Sequence, residues 1–175
     1  MTEHRGRLLA LAALPVLLAA GAATPDPSTA LAGRYYRQFP NALVTGEKYT
    51  GEDIVEIVPV ARNAAYVRVE LSYYNGHSCS NWGVARAERD TLVYRQPRSE
   101  YDDTQCILTL RRAGKSLLID DGGGTCSSSC GARGTLTAVK LPWASKRPIR
   151  YMARLKASPE YRSALNEWRT GKAQP

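Results

Sequence analysis

The stretch AAYVRVELSYYN, Ala64 to Asn75, sets the strictest limit on the fold. In it Tyr66, Arg68, Glu70 and Ser72 alternate with Val67, Val69, Leu71 and Tyr73. A period of two places successive side chains on opposite faces, so the segment reads as a half-buried strand and not as a helix. NGH, Asn75 to His77, follows as a turn. The same reading recurs along the chain in GRYYRQF (33–39), DIVEIVPV (53–60), GVARAER (83–89), TLVYRQ (91–96), CILTLRR (106–112), SLLIDD (116–121) and TLTAVKL (135–141). Asp90 and the Ala113–Gly114–Lys115 step divide two adjacent pairs into hairpins. Eight short strands with brief polar connections predict a mainly β chain, wound as an up-and-down meander that closes into a small barrel.

The leader decides what the cysteines are. Behind Arg5 and Arg7, residues Leu8 to Ala23 carry no charge, which is the organisation of a secretory signal peptide. The run is interrupted by Pro15 and is shorter than the roughly 20 residues that a spanning helix needs. Small residues suited to cleavage occur at 21–23 and again at 30–32. The expected organisation is therefore a signal peptide and linker over 1–32, cut after about residue 23 or 32, a barrel over 33–141, and a C-terminal appendage over 142–175. That leaves one domain, without a transmembrane segment in the mature chain, in a secreted or periplasmic setting.

In an oxidising compartment the even set Cys79, Cys106, Cys126 and Cys130 is read as disulfides. A meander returns every second connection to the same end, so all four cysteines are expected at one barrel end. Three connectivities are open. Closeness along the chain favours Cys126 with Cys130, leaving Cys79 to Cys106. On the chain-entropy model these would contribute roughly 2 and roughly 3 to 4 kcal/mol.

The segment GTCSSSCGARGT, residues 124–135, invites several chemistries. Zinc prefers four Cys or His ligands in close pairs, and past the leader the only histidine is His77. Cys79 lies near that histidine, but an even thiol count makes it a disulfide partner and not a nucleophile. Ser127, Ser128 and Ser129 lack a nucleophile elbow. Asp102, Asp103, Asp120 and Asp121 sit at strand ends, where Asp forms turns. The triple glycine 122–124 precedes no Lys-Ser/Thr pair and is no phosphate cradle. No catalytic residue, metal site or cofactor is expected, and the segment reads as a clamped turn in a non-enzymatic protein.

The strand-rich design, with CSSSCGARG leading into the last strand, resembles small periplasmic bacterial β-barrel proteins of the lysozyme-inhibitor type, which present a loop to a partner's cleft. Inhibitors of invertebrate-type and goose-type lysozymes resemble one another in a Ser-Gly-Arg-type loop motif, and this chain has Gly131, Ala132, Arg133 and Gly134 in its place. The resemblance implies a binding or inhibitor module acting on a cell-wall hydrolase or another secreted protein through loop 126–134. Arg133 would be the inserting residue, Ser127, Ser128 and Ser129 hydrogen-bonders at the rim, and Gly131 and Gly134 the points where the backbone bends. A lipocalin-like carrier of a small apolar ligand is the alternative within the same fold class.

Charge is unevenly spread. From Lys140 onward nine Lys or Arg face two Glu, whereas residues 33–139 hold 13 basic and 12 acidic side chains. In SPEYRSALNEWR, Ser158 can cap, Pro159 suits the first helical position, and Tyr161, Leu165 and Trp168 share one face. Ile149, Met152 and Leu155 suggest a helical stretch before it. The apolar faces are expected to pack on the barrel. The basic face, with Arg150, Arg154 and Lys156, is the third functional reading, an anionic envelope surface being its partner. Nucleic acid is not an expected partner of a secreted chain.

Overall fold

The computed structural model describes residues 25–97 and 104–171; the apolar run 8–23 and Asp102 and Asp103 lie outside them. Eight antiparallel strands follow one another in sheet order, β1 (Gly33–Ala42), β2 (Lys48–Ala61), β3 (Ala64–Ser72), β4 (Ser78–Glu88), β5 (Thr91–Arg95), β6 (Ile107–Ala113), β7 (Ser116–Asp120) and β8 (Val139–Pro142). The meander closes almost completely. Its seam is formed by the segment after β8, where Arg34 and Arg147 exchange backbone hydrogen bonds of 2.8 Å each way. The Tyr36 amide donates to Ser145 Oγ nearby, at 3.2 Å.

Alternation explains the interior. Val67, Val69 and Leu71 of β3 point inward beside Val55 and Ile57 of β2 and Leu108 and Leu110 of β6, all almost completely buried. Tyr35, Tyr94, Leu117, Ile119 and Leu141 complete the core. The β4–β5 pairing spans only Arg86–Glu88 against Thr91–Val93. Beyond it the Tyr94 ring lies against Gly83, where a methyl group would sit 2.0 Å from the ring. Glycine there lets an aromatic side chain fill the wall.

The connections differ sharply at the two ends. Residues 62–63, 89–90 and 114–115 are two-residue turns at one end. At the other end the connections are 43–47, 73–77, 96–106 and 121–138. The short-turn end is covered by α1 (Pro27–Ala30), whose N-cap Asp26 accepts from the Ser28 amide at 2.9 Å. Leu31 enters the core, and its carbonyl accepts from the Tyr35 hydroxyl at 2.9 Å. Residues 27–31, read from sequence as linker, are thus built into the barrel, because a single helical turn suffices to shield its open mouth.

The C-terminal segment packs outside. After the seam come α2 (Met152–Lys156) and α3 (Pro159–Thr170), the latter capped by Ser158, whose hydroxyl accepts from the Tyr161 amide at 3.2 Å. Ile149, Leu155, Tyr161 and Ala164 bury against Val58 and Tyr66 on the outer face of β2 and β3. Tyr161 meets Tyr66 edge-on at 4.8 Å between ring centroids. Register places Glu56 between Arg34 and Arg68 on neighbouring strands. Glu56 is completely buried, its carboxylate 2.9 Å from Arg68 Nε and accepting from the Tyr151 hydroxyl. The tail covers a polar row as well as an apolar patch. Among the described residues no helix is long and apolar enough to cross a membrane.

Candidate functional site: the disulfide-tied loops

All four cysteines lie at the long-loop end, as the meander requires, and none is free. Their connectivity differs from the expectation. Cys79 joins Cys130, and Cys106 joins Cys126. Residues 121–138 fold back across the barrel mouth, which turns Cys126 into the core beside Cys106. The single 3-10 turn Ser127–Ser129 then carries Cys130 outward to the start of β4. Only four positions apart in sequence, Cys126 and Cys130 bond to different parts of the barrel. The crosslinks span 51 and 20 residues of sequence. Taken singly, chain entropy assigns them about 4 and about 3 kcal/mol, against about 2 for a bond within the five-residue loop. Both bonds therefore hold the fold, and with every thiol oxidised none is available as nucleophile or metal ligand.

Asp121 organises the loop from beneath. It is 1% exposed. Its carboxylate accepts from the Gly124 amide (3.1 Å), the Cys126 amide (3.1 Å) and the Thr137 hydroxyl (2.7 Å). Burial alone would raise its pKa, but the hydrogen bonds from Thr137, Cys126 and Gly124 outweigh it and hold the carboxyl below its ordinary value. Asp120 accepts from the Gly122 and Ala138 amides. The two aspartates are spent on turns.

Arg133 sits at the tip of this structure. Gly131 to Gly134 form a turn closed by the Gly134 amide donating to the Gly131 carbonyl at 2.9 Å, with Ala132 and Arg133 between them. The turn is fixed at its base by the Cys79–Cys130 bond and by the Gly131 amide donating to the Ser78 carbonyl at 2.8 Å. Arg133 is exposed, and its guanidinium makes no hydrogen bond or ion pair among the described residues. The glycines act differently from expectation. Neither has a positive φ; instead, a methyl group on Gly134 would lie 2.6 Å from Cys79 Sγ, and one on Gly131 would lie 3.1 Å from His77 Nδ1. Close packing, not backbone freedom, fixes glycine at 134.

The serines divide. Ser127 and Ser128 are exposed at the rim. Ser129 is turned inward, where its hydroxyl accepts from Asn81 Nδ2 at 2.8 Å, so it is a support of the barrel mouth and not a rim contact. The last strand also begins later than its alternation implied. Thr135 to Ala138 remain in the loop, held by Leu136, which is buried, and by Tyr73, whose hydroxyl donates to the Thr135 carbonyl. Sequence reading missed Tyr74 and Val44, which stand exposed on the neighbouring loops, 48% and 73% respectively. The Val44 amide donates to Asn75 Oδ1 at 2.9 Å, tying those two loops together.

Arg150, Arg154 and Lys156 lie apart from this end, beside β2. All three are exposed, and the Arg154 guanidinium stacks over Tyr151 at 5.0 Å. No protein-family model, curated protein or solved structure matches the chain.

Proposed function

We propose that this protein is a secreted or periplasmic, non-enzymatic binding module that presents Arg133 to an acidic cleft, a cell-wall glycan hydrolase being its target. The observation that carries the reading is the exposed Arg133, without an ion pair among the described residues, at the tip of a turn anchored by the Cys79–Cys130 bond. A turn ordered before binding loses little entropy on docking. A guanidinium supplies a fork of donors to a carboxylate, and glycan hydrolases carry paired catalytic carboxylates. Ser127 and Ser128 add exposed hydroxyls from the same loop. The carrier alternative needs internal space, whereas Tyr35, Tyr94, Leu108, Leu110 and Leu117 fill the barrel, leaving that reading without an observation in its favour.

The test is titration against lysozymes of the invertebrate and goose types. Arg133→Ala is expected to weaken binding by about 2 kcal/mol or more, the loss of a central anchor, with the melting temperature unchanged. Arg162→Ala, an exposed change on α3, leaves both unchanged. Loss of stability with intact binding in Arg133→Ala makes the residue a turn element and removes the inhibitor reading.

A further inference from the structure

The short-turn end has a different chemistry, and it collects cations. Arg62, Arg89, Lys115 and Arg147 are exposed there, with Arg112 and Lys146 beside Trp143. None of the six forms an ion pair among the described residues, and the side chains of Arg112, Lys146 and Arg147 donate only to backbone carbonyls of this end, those of Gly114, Ala30, and Ala144 and Lys146. The acids of this end are Asp26, which caps α1, Asp90, and Glu88, which is engaged by Arg95. Arg112 and Lys146 lie 4.5 Å and 5.0 Å from the Trp143 ring centroid. Burial, and then Arg112, lower the pKa of Lys146, as two like charges lie around one indole.

The shape of this end narrows the choice of partner. Three two-residue turns and a one-turn helix give it little relief, in contrast to the projecting loops of the other end. An apolar groove of about 230 Å³ lies among Pro25, Pro27, Leu31, Arg112 and Trp143, with Asp90 on its wall. Arg89 holds φ +58°, a left-handed backbone that glycine adopts at lower cost, and its side chain is exposed.

We propose that this end of the barrel docks on an anionic lipid bilayer, with Arg89, Arg112, Lys115, Lys146 and Arg147 meeting headgroup phosphates and Trp143 lying at headgroup level. A flat surface of cations whose charge no carboxylate neutralises in an ion pair is drawn to a negative leaflet, each charge adding to the affinity. An indole flanked by Arg and Lys suits the boundary between water and hydrocarbon. The proposal does not depend on Arg133, which belongs to the opposite end. It also differs from docking by the C-terminal segment, because Arg150, Arg154 and Lys156 lie beside β2.

The experiment is co-sedimentation of the full chain with vesicles of equal parts phosphatidylglycerol and phosphatidylcholine, with pure phosphatidylcholine as the baseline. Binding above that baseline is expected and weakens with salt. The double variant Arg89→Glu, Lys115→Glu is expected to lose about thirtyfold or more of it, since each cation near an anionic leaflet contributes about a factor of five. Near-ultraviolet circular dichroism checks folding, and Arg89→Gln with Lys115→Gln serves if the reversal unfolds the chain. Reversing Arg150, Arg154 and Lys156 leaves most of the excess in place. No excess over phosphatidylcholine, an excess that survives the changes at 89 and 115, or an excess removed only by the C-terminal reversal overturns the proposal. Tighter binding to soluble polyphosphate than to vesicles of equal charge concentration overturns it in favour of a polyanionic polymer.

Discussion

The two mouths of this barrel solve the same problem by opposite means. At the short-turn end the chain crosses between strands in the fewest residues, and the opening is sealed by α1 and Leu31. At the disulfide end the connections are long, and residues 121–138 form the seal, pinned by two covalent bonds and by Asp121. A one-turn helix has too few contacts to be stable alone and relies on the barrel it covers. A long loop has high conformational entropy, which crosslinks remove from the unfolded ensemble. Hence the cystines belong where the loops are long, and the charge collects where they are short.

This contrast predicts unequal sensitivities. The largest effect is expected from Cys79→Ala with Cys130→Ala, which should lower stability by about 2 to 5 kcal/mol. Urea denaturation measures that loss. If hydrogen exchange in the double variant rises as much in α1 and turn 114–115 as in 121–138, the two ends are one cooperative unit and the distinction fails.

A smaller loss, about 1 to 3 kcal/mol, is expected from Asp121→Asn, which removes a buried acceptor while its donors remain. The wild-type dependence on pH has a definite sign. Because the folded carboxyl lies below its unfolded value, its contribution is complete above the ordinary carboxylate range near about 4 and is lost as the pH falls through the lowered value. Acid titration followed by amide signals of 121–138 should show that end loosening first, and Asp121→Asn should abolish the step.

The smallest effect has the opposite direction. Arg89→Gly should stabilise the short-turn end by about 1 kcal/mol or less, the left-handed strain relieved being partly offset by the greater freedom of the unfolded chain. A melting curve that falls instead would show that the Arg89 side chain supports the turn.

What the sequence revealed follows the range of the forces involved. The eight strands were legible because Val67, Val69 and Leu71 record one buried face in a period of two, and turns such as Arg89–Asp90 interrupt it locally. Helix α3 was legible because Ser158 and Pro159 mark its start within its own turn. The disulfide pairing was not, since it depends on how a long loop folds over the mouth, and chain proximity pointed to Cys126 and Cys130. Ser129 was misread for the same reason: its neighbours in sequence are exposed, and its partner Asn81 is 48 residues away. The row Arg34, Glu56 and Arg68 becomes visible only once register brings three strands together. Arg133 entered through the resemblance to lysozyme inhibitors, whereas the reason for Gly134 required the position of a sulfur atom.

The seam between Arg34 and Arg147 bears on how the chain is made. Synthesis delivers β1 first and its closing partner, residues 145–147, more than a hundred residues later. Each hairpin in between can form as it emerges, whereas β1 keeps an open edge until the segment beyond β8 arrives. Unpaired strand edges recruit other chains. Residues 145–147 are therefore the latch of the barrel, and a chain that stops short of them leaves the β1 edge open.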